Sequence, residues 1–172
     1  MGFATAVRTC LSKYISFSGR ASRPEYWWFL LFVVLGSIVF GILDGILFGV
    51  DTETGESQGA LAPLWQLAMF VPLLAAGWRR LQDTGRPGWY ILLPMLVSLV
   101  SVVGLFLGIF TFGVMEQNVA DPDSLRGPAA VLGLTGFVVI AIVQLVLTVL
   151  MLWWLTRPSD PDANVYGSPA AS

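Results

Sequence analysis

With 172 residues, 56% of them hydrophobic and 12% charged, the chain departs from the roughly 25% charged content of an ordinary soluble domain and reads as a membrane protein. A net charge of −2 gives no overall basic field for nucleic acid, no histidine is present to ligate zinc or a redox metal, and the single cysteine, Cys10, excludes an intramolecular disulfide. At about 20 residues per transmembrane helix, the chain holds no more than about five or six spans in one membrane domain.

Met1 to Ile15 has no apolar core before Arg8 and no small-residue cleavage pattern after it, so a cleaved signal is not expected. Phe3, Val7, Leu11 and Tyr14 recur at helical spacing, with Thr5, Arg8, Ser12 and Lys13 elsewhere round the wheel. Within residues 1–18 this predicts a short amphipathic helix lying in the membrane surface. The block Gly19-Arg20-Ala21-Ser22-Arg23-Pro24-Glu25-Tyr26-Trp27-Trp28 follows. Ser22 and Glu25, with Pro24 in the first turn, have capping-box spacing, in which hydroxyl and carboxylate each satisfy a free backbone N–H. The first span is expected over residues 26–49 and the second over 61–78. Pro72 lies inside the second, where its missing N–H predicts a kink near Val71 and a freed carbonyl that a neighbouring helix satisfies.

The second arginine block is Arg79-Arg80-Leu81-Gln82-Asp83-Thr84-Gly85-Arg86-Pro87-Gly88-Trp89. It has the marks of a helix end: Arg79 and Arg80 near the negative end of the dipole, Gly85 as a left-handed cap, and Pro87 preventing continuation. Further spans are expected over 89–113, with Pro94 in the first turn, and over 129–155, followed by a tail, 157–172, rich in Pro, Ser and Asp. The expected fold is all-α: a four-transmembrane-helix bundle in a single domain, 1–172, preceded by the interfacial helix.

Counting basic residues sets the topology. Arg8, Lys13, Arg20 and Arg23 precede the first span, Arg79, Arg80 and Arg86 lie between the second and third, and Arg157 follows the fourth. Only Arg126 falls in the remaining loops, whereas Asp51, Glu53, Glu56, Glu116, Asp121 and Asp123 all do. Both termini are therefore expected in the cytoplasm. Trp27, Trp28, Trp65, Trp78, Trp89, Trp153 and Trp154 fall near the span ends, where an amphipathic ring prefers the headgroup level.

Helix punctuation accounts for Ser22, Pro24, Glu25, Gly85 and Pro87, but it does not require Arg20, Arg23, Arg79, Arg80 and Arg86 beside Glu25 and Asp83. Two readings stand: a structural ion-pair cluster, or a site whose Arg forks bind anionic lipid headgroups or another phosphate-like group. In either case Glu25 or Asp83 is expected to contact an arginine of the opposite block. Ser37, Gly41, Gly45 and Gly49 recur every four residues in the first span, and Gly104 and Gly108 repeat the spacing in the third, a pattern that lets helix backbones approach within one chain or between two. Asp44 lies on or beside that glycine face and is costly there unless paired or hydrated. Gln144 is a deeper polar group suited to an interhelical hydrogen bond.

Arg79 to Trp89 resembles the signature Arg-Arg-Leu-His-Asp-Thr-Gly-Arg-Ser-Gly-Trp of the bacterial inner-membrane family catalogued as domain of unknown function 805, with Gln82 and Pro87 where that family usually has His and Ser. Gly19 to Trp27 matches its Gly-Arg-Ala-Ser-Arg-x-Glu-Tyr-Trp element, and Asn164-Val165-Tyr166-Gly167-Ser168-Pro169 resembles its C-terminal element, so the resemblance spans nearly the whole chain. It implies a small polytopic inner-membrane protein and no particular reaction. Gln82 weakens any scheme of proton transfer through this motif, since an amide does not titrate near neutral pH. The resemblance also predicts that Asn164 to Tyr166 fold back onto the arginine face, with the phenol able to donate or accept a hydrogen bond there.

Catalysis has no visible constellation: no histidine, no Ser/Lys or Cys-based spacing, and no phosphate-binding glycine loop after a strand. No cofactor is expected. The leading reading is a non-enzymatic inner-membrane protein that organises lipid or partner proteins through its cytoplasmic arginine face. The alternative is a small oligomeric channel or transporter with Asp44 near a pathway. Membrane lipids are the expected partners, with a second copy or another membrane protein as the alternative, and nucleic acid is not expected.

Overall fold

The computed structural model describes residues 1–55, 57–118 and 123–169. Glu56 and Asp121, counted above among the acidic loop residues, lie outside them, as do the side chains of Asp123 and Arg126. In chain order the helices are α1 (Phe3–Ser12), α2 (Arg23–Phe48), α3 (Leu61–Asp83), a short 3-10 turn (Gly88–Leu92), α4 (Leu93–Asn118) and α5 (Asp123–Thr156). The fold is all-α, with a short N-terminal helix and four helices long and apolar enough to cross a membrane, over Arg23–Phe48, Leu61–Asp83, Gly88–Glu116 and Gly127–Thr156. Their outward faces carry Ile42, Leu47, Leu67, Phe106, Leu132 and Leu145, all exposed, as a lipid-facing surface requires.

The chain forms two compact units, one of residues 1–90 and 154–172 and one of residues 91–153. In the first, α2 and α3 pair as an antiparallel hairpin and α1 packs on α2. The Ser22 hydroxyl accepts the Glu25 N–H at the start of α2 and Pro24 fills the first turn. The Glu25 carboxylate does not complete the capping box; it is turned toward Arg79. The hairpin closes where α2 is thinnest. A Cβ on Gly36 would lie 2.2 Å from the Trp65 ring, and the Trp65 indole N–H donates to the Val33 carbonyl at 3.0 Å. Phe32 and Phe40 pack on the same indole at centroid distances of 5.4 and 5.1 Å.

Pro72 lies inside α3. It leaves the Ala68 carbonyl without its usual i+4 donor, and the Tyr14 hydroxyl, just beyond α1, donates to that carbonyl. The apolar segment that ends at Trp78 continues as helix to Asp83 and stops in a Schellman motif: Arg86 N–H reaches the Leu81 carbonyl at 3.1 Å, Gly85 N–H reaches that of Gln82 at 3.1 Å, and Gly85 has φ of +71°.

In the second unit Gln144 Nε2 donates to the Pro94 carbonyl at 3.4 Å, so the expected interhelical bond forms to backbone. Ser98, Ser101, Thr111 and Thr148 turn their hydroxyls onto carbonyls of their own helices. A depression of about 320 Å³ between α4 and α5 is walled by Leu96, Val100, Val139, Ile140 and Val143, with Ser101 as its polar member.

Candidate functional site

The two arginine blocks meet at one end of the α2–α3 hairpin. Arg79, on the last turns of α3, places Nη1 2.7 Å from Glu25 Oε1 on the first turn of α2. Arg20, in the segment before α2, places Nε 2.8 Å from Asp83 Oδ1, while Arg80 pairs with the other oxygen of the same carboxylate. One acid is thus held between two guanidinium groups, that of Arg80 one turn away and that of Arg20 63 residues earlier in the chain. Arg79, Arg80 and Asp83 are fully buried, and Arg20 and Glu25 are 6% and 3% exposed. Three arginines against two carboxylates leave this enclosed set with a net charge of +1.

Backbone carbonyls absorb most of the remaining donors. Arg80 Nε reaches the Leu155 carbonyl at 3.0 Å, and its other nitrogens reach Arg157 and Ala21. Arg20 donates to the carbonyls of Asp162 at 2.7 Å and Gly167 at 3.3 Å, and also to those of Asp83 and Asp160. Buried charge is tolerated only when paired and hydrogen-bonded in this way, because the desolvation cost is several kcal/mol per ion. Arg79 Nη2 and Gln82 Oε1 are enclosed and make no hydrogen bond.

The tail docks on the same end. Asn164 Nδ2 donates to the Gln82 carbonyl at 3.0 Å and Asp160 N–H to that of Asp83 at 3.1 Å. Asn164 and Gly167 bond each other's backbone, which closes a tight turn in which Tyr166 donates its N–H to Asn164 Oδ1 at 2.9 Å. The Tyr166 contact is thus through its backbone; among the described residues its phenol takes no hydrogen bond. Of the arginines in the two blocks, Arg23 and Arg86 stay outside the network. Among the described residues Arg23 makes no ion pair or hydrogen bond and is exposed, while Arg86 donates to the Thr84 carbonyl at 3.2 Å and lies 5.3 Å over the Trp154 ring.

Cys10 is a participant that the sequence did not suggest. Its thiol lies 3.8 Å from both the Glu25 carbonyl and Glu25 Oε1, and it is buried. Burial, and then the Glu25 carboxylate, push the thiol up to about 12.

Asp44 is fully buried at the other end of the hairpin. Its carboxylate accepts the backbone N–H groups of Leu61 at 3.0 Å and Ala62 at 2.7 Å, which are free donors at the start of α3. Gly59 lies against it: a Cβ there would fall 2.0 Å from Oδ1. The expected glycine series behaves differently from Gly36. A Cβ on Gly41, Gly49, Gly104 or Gly108 would meet no atom within 4 Å among the described residues, and one on Gly45 would meet only Val50, at 3.4 Å. Ser37 bonds its own helix at the Val33 carbonyl. Among the described residues no group of three or more His, Cys, Asp and Glu side chains is placed to hold a metal ion.

The family described as a protein of unknown function, DUF805, matches residues 14–122, a stretch that ends before the Asn164 to Pro169 element. The inner membrane protein YhaH of Escherichia coli K12 is 38% identical over 118 residues, which cover 69% of this chain and 94% of that protein. The inner membrane protein YhaI of the same organism is 40% identical over 108 residues, covering 63% of this chain and 85% of that protein. No solved structure matches. The arginine blocks at the heart of the buried cluster lie within the matched stretch, and the chain belongs to the DUF805 family of multi-pass bacterial inner-membrane proteins.

Proposed function

We propose that this protein is a non-enzymatic organiser of the inner-membrane surface, in which a helical hairpin locked by a buried ion network presents a basic, aromatic rim to anionic lipid headgroups. The observation that carries this reading is the sorting of the arginines. Arg20, Arg79 and Arg80 are engaged by Glu25, Asp83 and backbone carbonyls, while Arg23 stays exposed at the start of α2 beside Trp27 and Trp28. The buried members therefore act as structure and the rim as the contact surface. Placing this end, with both termini, in the cytoplasm follows from the excess of arginine there.

The reading of the chain as a channel loses its main support, since the Asp44 carboxylate is occupied by two backbone N–H groups. The Gly41 and Gly104 faces, which meet no side chain among the described residues, are available to lipid or to a second copy. Purification in mild detergent followed by native mass spectrometry tests the reading. Retained phosphatidylglycerol that is lost as ionic strength rises is the expected result. Equal retention of phosphatidylcholine, or no retained lipid, would refute it.

A further inference from the structure

Arg23, which among the described residues makes no ion pair or hydrogen bond, stands beside a groove. Arg23, Pro24, Trp27, Trp28 and Thr156 line an open depression of about 510 Å³ at the start of α2. Among the described residues no carboxylate lines it, because Glu25, two residues along, is buried and turned inward to Arg79 at 2.7 Å. The aromatic walls are held from behind. Phe3 of α1 packs edge-on against Trp28 at 5.9 Å, and Tyr26 against Trp27 at 5.5 Å. A guanidinium free to fork onto oxygen, sharing a groove with two indoles that prefer the headgroup level, joins the two kinds of contact that an anionic lipid offers.

We propose that this groove seats the phosphate-bearing headgroup of an anionic phospholipid, with Arg23 on the phosphate and the Trp27 and Trp28 rings against the glycerol and upper acyl region. The assignment rests on the lipid-organising reading above and locates it. It moves recognition away from Arg79 and Arg80, which are fully buried and held by Glu25, Asp83 and backbone carbonyls. The net +1 of the enclosed cluster adds to the attraction without contact.

The test compares wild type with Arg23→Gln, Trp28→Ala, Arg8→Gln and Lys13→Gln in detergent micelles titrated with phosphatidylglycerol or phosphatidylcholine, with bound lipid counted by native mass spectrometry. Arg23→Gln should weaken phosphatidylglycerol retention about fivefold, the equivalent of about 1 kcal/mol for one basic residue at an anionic surface, and leave phosphatidylcholine unchanged. Its unfolding temperature should match that of wild type, since among the described residues Arg23 makes no ion pair or hydrogen bond. Trp28→Ala should weaken both lipids, and Arg8→Gln and Lys13→Gln should each change retention by less than about twofold, because a seated headgroup is read locally. If wild type prefers phosphatidylglycerol and Arg23→Gln binds it equally well, the groove assignment is wrong while the lipid-organising reading stands. Equal losses in the Arg8 and Lys13 variants would replace the groove with a diffuse basic field and overturn it. Competition by inorganic phosphate as strong as that by the lipid would make the site one for a free anion and also overturn it. A wild type without any preference would remove both readings.

Discussion

Removing the Asp44 carboxylate tests whether it is a helix anchor or part of a pathway. It accepts two N–H groups at the start of α3, at 3.0 and 2.7 Å, and is fully buried. Hydrogen bonds to a charged group contribute about 1.5–3 kcal/mol each, and an N-terminal anion gains about 0.3–2 kcal/mol from the helix dipole. Asp44→Ala leaves both donors unpaired and should cost about 3–5 kcal/mol. Asp44→Asn keeps one acceptor but brings its amide NH2 against the second N–H, for a loss of about 2 kcal/mol. At about 2–4 °C per kcal/mol for a chain of this size, thermal unfolding in detergent should fall by roughly 4–8 °C for Asn and further for Ala. Tryptophan fluorescence is a suitable readout, because Trp65 lies one turn into the helix that Asp44 anchors. Both variants unfolding within about 2 °C of wild type, or a changed ion flux in liposomes with stability intact, would refute the anchor.

Tyr14→Phe should cost about 1 kcal/mol by leaving the Ala68 carbonyl without a donor, and Pro72→Ala should erase that cost by restoring the N–H, as thermal unfolding of the two single variants and the double variant would report. Deleting the chain after Ala163 removes the Asn164 bond to Gln82 and the Arg20 bond to Gly167, so stability should fall by about 1–2 kcal/mol; an unchanged unfolding temperature would make the docked tail dispensable. Cys10 should resist maleimide at pH 8 in the folded protein and react on unfolding. Because its thiol is raised from 9.0 to about 12, the unfolded state loses this proton first, and the stability it contributes is complete below pH 9 and lost as pH rises toward 12. Rapid labelling of native protein would contradict its enclosure.

The four spans were legible because a run of about 20 apolar residues has few alternatives to crossing a membrane, and the helix ends because Ser22, Pro24, Gly85 and Pro87 act locally. That the arginine blocks would meet followed from charge: Glu25 and Asp83 at the end of an apolar hairpin need partners. The pairing itself was not legible. Arg20 and Asp83 are 63 residues apart, and most of the remaining acceptors are backbone carbonyls, which leave no trace in side-chain identity. Asp44 precedes the helix it anchors by 17 residues, so no local cap motif announces it. The four-residue glycine series drew attention to Gly41 and Gly45, whereas the close approach falls at Gly36, outside the series and opposite a tryptophan. Tyr14 was placed by its spacing on an amphipathic helix, and its use as the donor for the carbonyl freed at Pro72 depends on tertiary structure.

The central claim is that the arginine cluster is a structural lock in which Arg20 and Asp83 act on each other. A double-mutant cycle of Arg20→Gln and Asp83→Asn, followed by unfolding in detergent, measures this most directly. Removing one member of a buried pair should cost about 3–5 kcal/mol, and the two losses should fall short of additivity by about 1.5–3 kcal/mol. Losses that add to within about 0.5 kcal/mol would mean that the two side chains do not depend on each other and would contradict the lock.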